Sequence, residues 1–141
     1  MKKIAIINGP KLNLTGIREP DIYGSTTMEQ MVDQLRQSFP NVEISYFQSN
    51  VEGELINRIH EVGFSADGII INAGGYCHTS VALHDALKSV TAPAIEVHIS
   101  NIFAREEYRH HSLLSSACMG LICGIGLKGY HLAIEALLNN R

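Results

Sequence analysis

Short apolar runs alternate with segments of helical periodicity along most of this chain. Apolar or alternating runs at residues 4–7, 42–46, 68–72, 94–100 and 119–123 predict five strands. Helical spacing at residues 28–39, 55–62, 80–90 and 130–139 predicts four helices between and after them. This order favours parallel strands joined by crossover helices. We therefore predict an α/β fold: a single-domain, flavodoxin-like, doubly wound five-stranded parallel sheet spanning residues 1–141.

Local signals place some boundaries of these elements. Thr26 and Glu29 have the spacing of a capping box ahead of the first helix, and Pro40 follows its end. Gly63 is expected to end the second helix. Residues 102–115 lack a clear period and are expected to form a short helix and a loop.

Composition narrows the classes of function. The chain has 141 residues, 45% of them hydrophobic and 18% charged, and its net charge is −3 without a basic block, so a nucleic-acid partner is not expected. The longest apolar stretch, residues 118–127, is about half a membrane span, and no membrane segment is predicted. Three cysteines without a CxxC motif predict neither disulfides nor a zinc ribbon, so the default expectation is a metal-free cytoplasmic protein.

Amide and hydroxyl side chains stand where four of the predicted strands end. They are Asn8, Ser49 with Asn50, Asn72, and Ser100 with Asn101. In doubly wound sheets, ligands bind outside the carboxyl ends of the strands. Asparagine also favours strand ends and turns for local reasons, but four such ends together indicate a polar binding edge.

The fourth predicted strand carries a polar face. Because side chains alternate along a strand, Glu96, His98 and Ser100 share one face. A buried carboxylate beside a histidine can orient the imidazole and favour its protonated form, as a general acid requires. The alternative is an edge strand with a solvated polar face.

Two further segments could carry chemistry. The connection after the first strand, residues 9–25, is long for a βα loop and holds Arg18 and Tyr23, so it could be a lid or binding loop. Arginines at 105 and 109 could supply a field that favours a tyrosinate, although an ordinary surface loop would look similar. Residues 72–80, NAGGYCHTS, permit close backbone approach to a ligand but match no standard phosphate-binding motif.

Four blocks of sequence together carry a family resemblance. They are INGPKLNLTGIREPDIYG (7–24), INAGGYCHTSVALHDAL (71–87), IEVHISNIFAREEYRHHS (95–112) and GLICGIGLKGYHLAIEAL (120–137). In this order they resemble the type II 3-dehydroquinate dehydratases over essentially the whole chain. The resemblance implies dehydration of 3-dehydroquinate to 3-dehydroshikimate, in the shikimate pathway or in quinate catabolism, through an enolate and without cofactor or metal. It also implies a homododecamer built from trimers.

The resemblance assigns roles to individual positions. Tyr23 matches the base, Arg18 the residue that stabilises the developing charge, and His98 the acid that protonates the departing hydroxyl. Glu96 matches the orienting partner of His98, and Arg105 the cation that favours ionised Tyr23. The remaining positions match substrate-binding residues: Asn72, His78, Ile99, Ser100, Arg109 and, supplied across a subunit interface, Asp85.

One position departs from the family pattern. The loop usually reads GPNLN, whereas this chain has Lys11 at the first asparagine. That asparagine is associated with a water near the enolate oxygen, and a lysine could stabilise the enolate directly or displace the water. An active enzyme with altered turnover is the main hypothesis. A non-catalytic binder of quinate-like ligands and a lyase for another cyclic hydroxy-ketone are the alternatives.

Overall fold

The computed structural model describes residues 1–17 and 25–139, and they form one five-stranded sheet. The strands are β1 (Lys2–Asn8), β2 (Val42–Gln48), β3 (Gly68–Asn72), β4 (Ala94–His98) and β5 (Gly120–Cys123). Every neighbouring pair is parallel, in the order β2-β1-β3-β4-β5. This strand order is that of the flavodoxin-like fold, so the predicted fold class is confirmed.

Four helices cover the two faces of the sheet. They are α1 (Met28–Ser38), α2 (Glu52–Val62), α3 (Val81–Ser89) and α4 (Lys128–Leu138). One core cluster joins α1 and α4 to one face of the sheet, and the other joins α2 and α3 to the opposite face. Because both faces are covered, the central strands β3 and β4 are buried at every residue.

The observed helix ends refine the sequence-based boundaries. The capping box of α1 is formed by Thr27 and Gln30, one residue later than the predicted pair Thr26 and Glu29. Gly63 does end α2, but with φ −68° rather than a left-handed conformation. A Cβ on Gly63 would lie 2.3 Å from the side chain of Val90, so close packing explains a glycine at this position.

Around β4 and β5 the observed strands are shorter than predicted, and 3-10 turns lie between them. β4 ends at His98, two residues earlier than predicted, and β5 begins at Gly120, one residue later. The irregular segment between them contains three 3-10 turns, at Ile102–Ala104, Glu107–Arg109 and Ser115–Ala117. Within the described part of the chain, no helix is long and apolar enough to cross a membrane.

The loop after β1 lies directly against the end of β3. The N–H of Gly9 donates to the carbonyl oxygen of Asn72 at 2.7 Å. A Cβ on Gly9 would lie 2.3 Å from the carbonyl oxygen of Ala73, so only glycine allows this approach. The contact places residues 10–15 at the carboxyl edge of the sheet, where the cleft is found.

Candidate active site

A cleft of about 490 Å³ opens at the carboxyl ends of the central strands. Its walls come from the loop after β1, the segment after β3 and the segment after β4. Its polar and charged lining includes Lys11, Asn72, His78, His98, Ser100, Arg105 and Arg109. This is the position that the topology of a doubly wound sheet predicts for a ligand.

His98 is held at the floor of this cleft by a buried carboxylate. Its Nε2 lies 2.5 Å from Oε2 of Glu96, two residues earlier on β4. Glu96 has no exposed surface and His98 is 6% exposed. β4 lies between β3 and β5 in the sheet, so the alternative of a solvated edge strand is wrong. Ser100, the third residue of the predicted face, lies beyond the end of β4.

Two serine hydroxyls complete the surroundings of the carboxylate. Ser112 Oγ donates to Oε2 of Glu96 at 2.7 Å, and Ser115 Oγ donates to Oε1 at 2.5 Å. Burial alone would raise the pKa of Glu96, but the hydrogen bonds and the charge of His98 outweigh it and lower the pKa. Glu96 is therefore an ionised, fully hydrogen-bonded carboxylate at neutral pH.

This arrangement fixes what each nitrogen of the His98 ring does. A carboxylate only accepts hydrogen bonds, so Nε2 carries a hydrogen and donates a hydrogen bond to Glu96. Nδ1 is the other ring nitrogen, and His98 lines the cleft. In the neutral ring Nδ1 accepts a proton, and in the imidazolium it donates one. The pair can therefore serve as a general acid or base.

The charge of the cleft walls favours an anionic ligand. Lys11, Arg105 and Arg109 contribute cationic groups, and no carboxylate stands among the described lining residues. Arg105 Nη1 donates to Ser100 Oγ at 3.4 Å. Arg109 Nε lies 2.6 Å from Oε2 of Glu106, whose carboxylate lies outside the lining. A carboxylate ligand would therefore meet a positive potential in the cleft.

The other predicted positions divide into three groups. Asn72, His78, Ile99 and Ser100 line the cleft together with His98. Asp85 lies on α3 with 73% of its side chain exposed and does not line this cleft. Arg18 and Tyr23 lie outside the described residues.

Lys11 has an unusual backbone conformation. Its φ is +69°, the only positive φ of a non-glycine residue in the described ranges. The N–H of Lys11 donates to Oδ1 of Asn50 at 3.1 Å, which holds the turn in place. Asparagine adopts this left-handed region more readily than lysine. The asparagine that the family resemblance gives for this position would therefore suit this backbone better than the lysine found here.

Sequence reasoning missed several groups that support the site. Ser112 and Ser115 follow Glu96 by 16 and 19 residues and come from a segment without a regular period. Tyr130, on α4, is fully buried beneath Asn72. A tyrosine hydroxyl on an otherwise apolar helix face was the one available signal for Tyr130, because a buried hydroxyl needs a partner.

One cluster has ligand types suited to a metal. Sγ of Cys77, a carboxylate oxygen of Glu96 and a ring nitrogen of His98 lie within 4.8 Å of one another. Burial, with the charge of Glu96 as the second cause, raises the pKa of the Cys77 thiol to about 12. The Glu96 carboxylate already accepts three hydrogen bonds. A metal would have to displace these donors and ionise a resistant thiol, so the donor set fits a metal poorly.

A carboxylate-oriented histidine in a cationic cleft, at the carboxyl edge of a doubly wound sheet, defines an α/β enzyme equipped for acid–base chemistry. The family described as "Dehydroquinase class II" matches residues 2–138. A 3-dehydroquinate dehydratase of Caldicellulosiruptor saccharolyticus is 53% identical over an alignment of 140 residues that covers 97% of each chain.

Solved structures agree with this match. The type II dehydroquinase of Butyrivibrio crossotus superposes with a TM-score of 0.94 at 48% identity, over 98% of each chain. That of Propionibacterium acnes gives 0.92 at 40% identity, over 99% of this chain and 98% of its own. The chain belongs to the class II dehydroquinase family, and it is a hydro-lyase of that type.

The lowered pKa of Glu96 predicts a specific acid sensitivity. A carboxyl group whose pKa is lower in the folded state stabilises the fold above its unfolded pKa, and this contribution is lost as pH falls through the folded pKa. We expect the Tm of Glu96→Gln to depend less on pH than that of the wild type between about pH 5 and pH 3. Thermal unfolding at fixed protein concentration across this range measures the difference.

Glu43→Gln is the control for the loss of one negative charge, because Glu43 is an exposed carboxylate of β2. It should retain the wild-type slope. Parallel pH profiles for Glu96→Gln and wild type would contradict an ionised, stabilising Glu96.

Proposed function

We propose that the protein removes water from 3-dehydroquinate to give 3-dehydroshikimate, with a tyrosinate base and a histidine acid. The shikimate pathway is the setting that the family supports, and the same reaction would also serve quinate catabolism. The single observation that carries the proposal is the His98–Glu96 pair at the floor of the cleft, with Nε2 bonded to an ionised carboxylate.

The proposed reaction begins with an enolate. The phenolate oxygen of Tyr23 takes the C2 proton, and the electrons of the broken C–H bond form an enolate with the C3 carbonyl. Arg18 stabilises the developing negative charge, and Arg105 favours the ionised form of Tyr23. Residues 9–25 form the lid of a single catalytic domain, residues 1–141, in this proposal.

Elimination then needs an acid. The enolate electrons form the C1–C2 double bond as the C1–O bond breaks, and hydroxide is a poor leaving group. Nδ1–H of the His98 imidazolium gives its proton to the departing oxygen, so water leaves. Glu96 stabilises the imidazolium before transfer and keeps the ring in place. Neutral His98 and protonated Tyr23 then exchange a proton through water to restart the cycle.

Substrate binding follows from the remaining lining residues. Asn72, His78 and Arg109 are proposed to bind the ring hydroxyls, and the Ile99–Ser100 segment the carboxylate. The positive cleft supports a carboxylate ligand, because Lys11, Arg105 and Arg109 lie around it. No cofactor or metal has a step in this mechanism.

The reaction can be followed directly. The purified protein is incubated with 3-dehydroquinate, and the conjugated enone of the product is measured by ultraviolet absorbance. Tyr23→Phe and His98→Ala should each lower kcat by about 100-fold or more, because proton transfer in each half of the reaction loses its group. Circular dichroism checks that the variants are folded.

His60→Ala is the control for His98→Ala, since His60 is exposed on α2, and it should keep wild-type activity. A wild-type rate in Tyr23→Phe would exclude the tyrosinate. Absence of enone with wild-type protein, together with calorimetric binding of the substrate, would favour a non-catalytic binder. Absence of both enone formation and substrate binding would favour a lyase that acts on another cyclic hydroxy-ketone.

Lys11 is proposed to reduce turnover rather than abolish it. Its side chain adds a third described cation to the cleft in a backbone conformation that asparagine adopts more easily. We expect Lys11→Asn to raise kcat/KM by up to about tenfold, equivalent to about 1.4 kcal/mol of transition-state stabilisation. Steady-state kinetics at saturating and low substrate measure the effect.

Lys88→Asn makes the same change in charge on the exposed side of α3 and should leave kcat/KM unaltered. An equal or lower kcat/KM in Lys11→Asn would mean that lysine serves the reaction at this position.

The protein is further proposed to be a cytoplasmic homo-oligomer, a dodecamer built from trimers. In this assembly Asp85 would contribute to the cleft of a neighbouring copy. Asp85 is largely exposed and outside the cleft of its own chain. Met119, Leu121 and Ile125, in and beside the edge strand β5, are apolar and 37–49% exposed. Contact with another copy would cover such side chains.

Coexpression of two inactive variants tests the shared site. Asp85→Ala chains keep His98, and His98→Ala chains keep Asp85, so mixed assemblies contain some complete sites. If Asp85 acts across the interface, a random equal mixture should recover about a quarter of wild-type activity. Native mass spectrometry of the same samples gives the number of subunits.

Each variant expressed alone is the reference for the mixture. Activity equal to the mean of the two separate variants would place Asp85 outside the neighbour's site, and a monomeric mass would exclude the assembly.

A further inference from the structure

A chain of buried hydrogen bonds runs beneath the cleft from β1 to β3. Asn8 and Asn72 are paired in register at the ends of these strands. The hydroxyl of Tyr130, from α4, lies between them, 2.8 Å from Oδ1 of Asn8 and 2.9 Å from Nδ2 of Asn72. Tyr130 and Asn8 have no exposed surface, and Asn72 is 3% exposed. Asn72 alone of the three lines the cleft.

The direction of every bond in this chain follows from one backbone donor. The N–H of Gly74 can only donate, and it lies 3.3 Å from Oδ1 of Asn72. The amide oxygen of Asn72 is therefore fixed toward Gly74, and its Nδ2 donates to Tyr130. The hydroxyl of Tyr130 accepts that bond and gives its own hydrogen to Oδ1 of Asn8.

We propose that Tyr130 is a positioning residue that holds Asn72 as a hydrogen-bond donor toward a substrate oxygen. Nδ2 of Asn72 has two hydrogens, and the hydroxyl of Tyr130 takes one of them. The second has no partner among the described residues, and it is the group that Asn72 presents to a ring oxygen. The inference rests on the proposed function, because the ring oxygen that would accept this hydrogen bond belongs to the proposed substrate, 3-dehydroquinate.

Tyr130 matters because an amide side chain can rotate. Without the Tyr130 hydroxyl, one hydrogen of Asn72 Nδ2 has no acceptor. The amide is then held less strongly in the orientation that directs its second hydrogen toward the ligand. A rotated amide would present oxygen in place of N–H and would leave the Gly74 N–H opposite a donor. Asn8 supports the same orientation indirectly, because it engages the hydrogen of Tyr130 that could otherwise point at Asn72.

Tyr130→Phe tests the role without removing the ring from the core. We expect KM for 3-dehydroquinate, and the inhibition constant of quinate, which has no ketone and cannot react, to rise about three- to tenfold. We expect kcat to change by less than about twofold, because His98 and its proton are untouched. Asn8→Ala should raise the same two constants by a smaller factor, and it keeps the tyrosine in place if Tyr130→Phe fails to fold.

Tyr46→Phe is the matched control. Its hydroxyl is also buried, on β2, where it lies beside the side chain of Asn8 at the far end of the hydrogen-bond chain, and it makes no hydrogen bond to Tyr130 or Asn72. Loss of this hydroxyl should leave KM and kcat at wild-type values. A rise in KM equal to that of Tyr130→Phe would attribute the effect to any lost buried hydroxyl and would overturn the proposal.

A double-mutant cycle separates positioning from general stability. In an Asn72→Ala background, Tyr130→Phe should cause no further rise in the inhibition constant of quinate, because its only route to the ligand is gone. Independent, multiplicative effects would overturn the proposal, as would wild-type constants for Tyr130→Phe. Lack of turnover in the wild type itself would instead refute the proposed function.

Discussion

The buried carboxylate of Glu96 is the interaction on which the site depends. An ionised side chain with no exposed surface is costly unless its oxygens are occupied, and here one imidazole and two hydroxyls occupy them. The partners come from β4 itself and from the turns that follow it. A single charge therefore joins the strand that carries His98 to the segment that follows it, and it engages Nε2 of the His98 ring.

The fold was predictable because its signals are short in range. The apolar runs and helical periods of the sequence placed all five strands and four helices to within a few residues, and their alternation predicted a doubly wound parallel sheet. Side-chain alternation placed Glu96 and His98 on one face without any knowledge of the partners. The errors lie at ends such as Thr26 and Thr27, where two hydroxyl residues compete for one capping position.

Much of the site's support was not predictable from spacing. Ser112, Ser115 and Tyr130 reach it through tertiary contacts at sequence separations from 16 to 58 residues. Asp85 shows the opposite case, because the sequence resemblance gives it a role that one chain cannot display. Arg18 and Tyr23 lie outside the described residues, so their roles continue to rest on the resemblance. Periodicity predicts which face of an element a side chain lies on. These roles depend on which residues, distant in sequence, pack against that face.

The turns between β4 and β5 look like an ordinary surface connection, in which homologous proteins commonly gain or lose residues. Ser112 and Ser115 make this one different, since their hydroxyls must arrive at fixed points on a carboxylate that precedes them by 16 and 19 residues. An insertion after Ser115 would leave the spacing from Glu96 to both hydroxyls unchanged. An insertion before Ser112 would shift both hydroxyl donors and leave the buried Glu96 carboxylate without them. The length of this connection up to Ser115 is therefore set by the chemistry beneath it, and protein engineers who graft new loops onto the scaffold must preserve that length.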